Sequence, residues 1–133
     1  MTMRAFLILA LALVTAWPVG SEERPDRRFL ALAQRFQKLY LESNPETATN
    51  LGDHRFDDRW TDFSPAGLEQ TGRWQNELLQ DLASIPRQEL ALANQVDYDI
   101  LRHHLEASQW SLYELGEVHR NPLLYNPGPG LFS

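Results

Sequence analysis

Two groups of residues in this sequence are of types that do chemistry. The first is the run Asp53-His54-Arg55-Phe56-Asp57-Asp58-Arg59-Trp60-Thr61-Asp62. Carboxylates, an imidazole and two guanidinium groups crowded this closely point to a hard cation or to a polar substrate held on a loop. The spacing lacks the alternate-residue aspartates and the central glycine of an EF-hand calcium loop. Arg55 and Arg59 also stand among the acids, where they neutralise them. The run therefore reads as a loop knitted by Arg–Asp pairs, with a second reading in which Asp53, His54 and Arg55 line a substrate cleft. The second group is Asp97, His104 and Ser108. At 100° per residue, Leu90, Ala93, Ile100, Leu101, Leu105, Leu112 and Leu115 fall in one arc of roughly 140°, and these three polar residues fall inside it. Asp97 and His104 are two helical turns apart on nearly one line. An unmet buried polar group costs about 1–3 kcal/mol. The line thus predicts a satisfied buried network, a helix less covered than the wheel implies, or the polar wall of a cleft.

No residue is assigned as catalytic, as a metal ligand or as cofactor-binding. The histidines are His54, His103, His104 and His119. Helical zinc sites place histidines at i and i+4 on one face, whereas the adjacent His103 and His104 diverge by about 100°. Asp99 and His103 do have the i, i+4 spacing, which a solvated ion pair explains. H-E-x-x-H, a Ser-His-Asp order, a P-loop and a dinucleotide glycine motif are all missing from the sequence. The lack of cysteine excludes disulfides, thiolate zinc sites and a cysteine nucleophile. A formal net charge of −6 without a basic cluster argues against nucleic acid and anionic membrane surfaces as partners.

The elements that must position these residues are helices. Residues 1–21 read as a secretory signal peptide: Arg4, the uncharged run Ala5 to Trp17, then Pro18 and small residues suited to cleavage. That run of about 13 residues is too short to span a bilayer, which takes roughly 20. Export to a periplasm without a stable membrane anchor is expected. Residues 22–133 predict an all-α segment. A first helix is expected from Asp26, acting as N-cap, to Ser43, with Phe29, Leu32, Phe36 and Leu39 on one stripe. Asn44-Pro45 opens a short second helix that stops at Gly52. Ser64-Pro65 opens a third, closed by Pro86, with Leu68, Trp74, Leu78, Leu82 and Ile85 inward and Glu69–Arg73 paired outside. A fourth is expected from Gln88 to Gly116. Phe56, Trp60 and Trp74 read as core anchors.

The stretch Asn44-Pro45-Glu46-Thr47-Ala48-Thr49 followed by Leu51-Gly52-Asp53-His54-Arg55-Phe56-Asp57-Asp58-Arg59 resembles the opening of a bacterial family. Asp97-Tyr98-Asp99-Ile100-Leu101 and Arg120-Asn121-Pro122-Leu123-Leu124-Tyr125 resemble its next two landmarks. The family is the domain of unknown function numbered eight-eight-five. Its members are mostly secreted or lipid-anchored, largely helical and several times longer, and their C-terminal part carries an H-E-x-x-H-like zincin motif. The resemblance implies the helical N-terminal segment of a larger zincin-like hydrolase, with zinc expected in the full-length parent and none in this chain. It implies as partners the remaining C-terminal portion and a peptide-like substrate. The competing expectation is a free-standing periplasmic helical module that binds a partner without enzyme activity.

Overall fold

The computed structural model describes residues 24–125, so the expected signal peptide and the terminal Gly-Pro-Gly-Leu-Phe-Ser lie outside the described residues. The described residues are all-α, with no strand among them. Helix α1 spans Pro25–Ser43, α2 Pro45–Asn50, α3 Pro65–Ala83, α4 Leu92–Trp110 and α5 Glu117–Arg120. Single 3₁₀ turns at His54–Phe56, Arg87–Glu89 and Pro122–Tyr125 fill the connections.

Proline and glycine set the element ends as their backbone chemistry requires. Pro45 and Pro65 each occupy a first helical turn, where the missing N–H costs nothing. The Ser64 hydroxyl accepts from the Gly67 amide at 3.2 Å and caps α3. Gly52 follows α2 at φ +84°, a left-handed conformation that costs other L-residues about 1–2 kcal/mol.

Two caps differ from the sequence expectation. Asp26 does not cap its own helix, which begins one residue earlier at Pro25. Its carboxylate reaches α4 instead, accepting from Asn94 Nδ2 at 2.6 Å and from the Ala91 amide at 3.0 Å. A first-turn acid of α1 thereby satisfies an otherwise orphaned amide at the start of α4. Asn44 does not cap α2; its side-chain amide donates to the Tyr40 carbonyl at 2.8 Å and closes the end of α1.

Helices α1, α3 and α4 bury one shared core. Phe29 and Leu32 come from α1, and Trp74, Leu78 and Leu82 from α3. Ile85 and Leu90 come from the connection, and Tyr98, Leu101 and Leu105 from α4. A smaller cluster of Leu41, Ala48 and Phe56 pins α2 and the first 3₁₀ turn to the end of α1. Phe56 and Trp74 are the anchors expected of them, but Trp60 is 61% exposed.

The fourth helix corrects the wheel. It begins at Leu92, not Gln88, and continues from Trp110 into a π-helical turn, Ser111–Leu115, that ends at the left-handed Gly116. The buried α4 residues are Tyr98, Leu101 and Leu105, while Ala93 and Ile100 are exposed. The arc had been drawn through Leu90, Leu112 and Leu115, which lie outside the α-helical stretch. The wider π turn moves later residues out of a 100° phase. Within α4 the inward line runs through Tyr98, Leu101 and Leu105, one position away from Asp97, Ile100 and His104, which are exposed.

Ion pairs lace the exterior. Arg35 of α1 donates to Glu77 at 2.9 Å and Asp81 at 2.8 Å on α3. Arg87 clamps Asp99 through two bonds of 2.8 and 2.6 Å. Asp99 thus pairs with Arg87 rather than with His103.

Several carboxylates are more acidic than usual. Asp26 is lowered by its bonds from Asn94 and Ala91, and Asp99 by its bonds from Arg87. Burial alone would raise Glu46, but the Thr61 hydroxyl and amide donate to it at 2.6 and 3.0 Å and outweigh that effect. A carboxylate with a depressed folded pKa contributes stability above its unfolded pKa and loses it as pH falls through the folded value. The expected result is a urea midpoint nearly flat from about pH 7 to about pH 5, falling steeply below about pH 4. Circular dichroism at graded pH measures it. Asp26→Asn is expected to weaken the low-pH loss.

Candidate functional site

The structure brings Asp97 and His104 together and leaves Asp53, His54 and Arg55 elsewhere. Helices α1 and α4 flank an open cleft of about 510 Å³. Phe29, Phe36 and Tyr40 form its α1 wall, and Asp97, Ile100 and His104 its α4 wall. The His104 ring meets Phe36 and Tyr40 edge-on, with centroids 5.4 and 5.8 Å apart and interplanar angles of 77° and 74°. These contacts hold the imidazole against aromatic faces while the residue stays exposed. His104 also lines a second cavity of about 460 Å³, with Thr71 and Gln75 of α3, Ser108 of α4 and Ser111 of the π turn. One polar line of α4 thus serves two neighbouring cavities, and it is a cleft wall rather than a buried network.

A partly buried polar network joins α3 to α4 beside the second cavity. Gln75, only 8% exposed, accepts from Gln109 Nε2 at 3.1 Å, and the same amide donates to the Gly72 carbonyl at 2.9 Å. Sequence reasoning missed it, because a glutamine pair between helices carries no spacing signal.

The Asp53 segment is a self-contained knot. Asp53 Oδ1 accepts from the Arg55 amide at 3.3 Å, and its two oxygens accept from the Arg55 guanidinium at 2.8 and 2.6 Å. That pairing lowers the Asp53 pKa and raises that of Arg55. His54 Nδ1 lies 2.9 Å from Asp57, whose other oxygen accepts from the Thr49 hydroxyl at 2.6 Å. The Thr49 bond is the main reason Asp57 is also more acidic than usual. The guanidinium groups of Arg55 and Arg59 lie 5.1 and 4.9 Å from the centre of the Phe56 ring. None of Asp53, His54 and Arg55 lines the α1–α4 cleft.

A sequence profile described as a bacterial protein of unknown function, DUF885, matches residues 45–127. The chain belongs to this family. The matched region of this DUF885 chain contains all five candidate residues, Asp53, His54, Arg55, Asp97 and His104, and it begins at the first residue of α2. No curated protein and no solved structure matches the chain.

Among the described residues, no group of three or more histidines, cysteines, aspartates or glutamates is placed to hold a metal ion. No described helix is long and apolar enough to cross a membrane.

Proposed function

We propose that this chain is the N-terminal helical part of a secreted, zincin-like DUF885 hydrolase that acts on peptide-type substrates, and that it shapes a cleft without cleaving bonds itself. The observation that carries this reading is the α1–α4 cleft. Its walls are apolar and aromatic, and two polar residues of α4, Asp97 and His104, line it two turns apart. That mixture is what orients an amide substrate or seats a following segment of the same protein. Leu30 and Ile100 at its rim are 51% and 62% exposed, an apolar edge suited to further covering protein. Export through the signal-like residues 1–21 places the hydrolase in a periplasm, and the zinc ligands come from the C-terminal region of longer family members.

The coding sequence after Ser133 is the first test: an in-frame H-E-x-x-H-like motif supports the reading, and a stop followed by unrelated sequence overturns it. In a full-length protein carrying this segment, Asp97→Leu with His104→Leu is expected to lower kcat/KM for peptides by about tenfold with zinc content unchanged. Unaltered turnover removes the cleft role. Asp53→Ala with Arg55→Ala is the parallel test for the loop.

A second reading, a free-standing helical binding module, is favoured by one observation: α1, α3 and α4 already enclose Phe29, Leu78, Leu82 and Leu105 almost completely. A sharp thermal transition and a discrete oligomeric mass for the expressed chain, with a true stop codon after Ser133, would establish it in place of the first.

A further inference from the structure

Trp60 is a large aromatic side chain left 61% exposed on the connection between α2 and α3, where Phe56 is buried. It stands with Arg59 between two concavities. One, of about 290 Å³, is lined by Glu46, Thr49 and Asp57; the other, of about 480 Å³, lies between the end of α1 and the start of α3. The larger one is within the size range of small-ligand sites.

Its lining is specific in kind. Glu42, Asp62, Arg59, Gln70 and Thr71 line it, with one Asp62 oxygen already accepting from the Ser64 amide at 2.9 Å. The Arg59 guanidinium lies over the Phe56 ring and is paired with Asp58 at 3.8 Å. Trp74 closes the wall, and its buried indole N–H has no hydrogen-bond partner. Two acids beside one base disfavour an anion, and the guanidinium in their midst disfavours a cation. Donors and acceptors of both kinds, set around an exposed indole face, suit a neutral ligand with many hydroxyls and an apolar ring face.

We propose that the Arg59–Trp60 concavity is a binding site for neutral saccharides, separate from the α1–α4 cleft, with a sugar ring stacked on Trp60 and its hydroxyls bonded by Glu42, Arg59 and Gln70. The site stands on the geometry of this loop and is independent of any hydrolase activity.

The test is a fluorescence titration of the purified 133-residue chain with maltotriose, with tri-N-acetylchitotriose and with a neutral tripeptide amide as competing probe. A saturable change with one of the sugars is expected. Trp60→Ala should weaken it by about tenfold or more, as removal of a stacking anchor does, and Glu42→Gln by a smaller factor. Trp110→Phe, another exposed tryptophan outside this site, should leave affinity unchanged. Circular dichroism confirms that each variant retains its helices, and isothermal calorimetry replaces fluorescence for the tryptophan variants. No saturable response to either sugar overturns the proposal, as does full affinity in Trp60→Ala. Saturable binding of the tripeptide amide with both sugars silent overturns the saccharide assignment in favour of a peptide site.

Discussion

Phe29→Ala is expected to destabilise the chain by about 3–5 kcal/mol. Phe29 is 2% exposed, and its ring lies 6.2 Å from that of Tyr98, at the point where α1 meets α4. Truncation there removes the transfer free energy of a phenyl group and leaves a hole that rigid neighbours on three helices fill poorly. Whole domains of this size hold only about 5–15 kcal/mol, so the loss is a large part of the total. Urea unfolding followed by circular dichroism measures it. Phe29→Leu should recover much of the loss, because it keeps most of the volume. Phe36→Ala, on the partly open side of the same helix, should cost less. A Phe29→Ala loss below about 1 kcal/mol would mean that α1 is not packed as described.

The second large effect is Gly67→Ala, expected to cost about 1–3 kcal/mol through overpacking. An added Cβ would run into the backbone carbonyl of Asp62, which cannot swing away because Asp62 is tied to the Ser64 amide at 2.9 Å. The gain from replacing a helical glycine, about 1 kcal/mol at most, offsets only part of this. Gly72→Ala makes the contrast. Its Cβ would meet the hydroxyl end of Tyr113, a side chain 61% exposed that can move aside. The helix-propensity gain there should leave Gly72→Ala close to neutral. Gly52→Ala has open space around it and pays only for φ +84°, about 1–2 kcal/mol. Urea midpoints of the three variants side by side should rank Gly67 and Gly52 as costly and Gly72 as tolerant. A costly Gly72→Ala with a neutral Gly67→Ala would contradict the packing around both glycines of α3.

The sequence was most informative where a single residue's backbone chemistry decides the outcome. Pro45 and Pro65 start helices, Ser64 caps one, Gly52 ends one and Pro86 follows the close of α3. The stripes Phe29–Leu32 and Trp74–Leu78–Leu82 were legible because helical spacing puts them on one face within regular stretches. The family was legible from ordered landmarks, and residues 45–127 match it.

Other features depend on which elements meet. Asp26 reads locally as a cap for α1, yet its partners Ala91 and Asn94 come from the far end of the sequence. Trp60 has the same side-chain type as Trp74, but only Trp74 faces a neighbouring helix. Gln75 and Gln109 look like surface residues until α3 and α4 meet. Asp97 and His104 shared a line in the sequence, but whether that line was core or cleft depended on which face of α4 packs on its neighbours, and that face carries Tyr98, Leu101 and Leu105. Helix type, the ends set by proline and glycine, and family are local properties of backbone and spacing, so the sequence alone determined them, whereas the start of α4 and the π turn after it were not legible there. Burial, trans-element caps and the opening of the α1–α4 cleft belong to pairs of surfaces, so only the tertiary packing decided them.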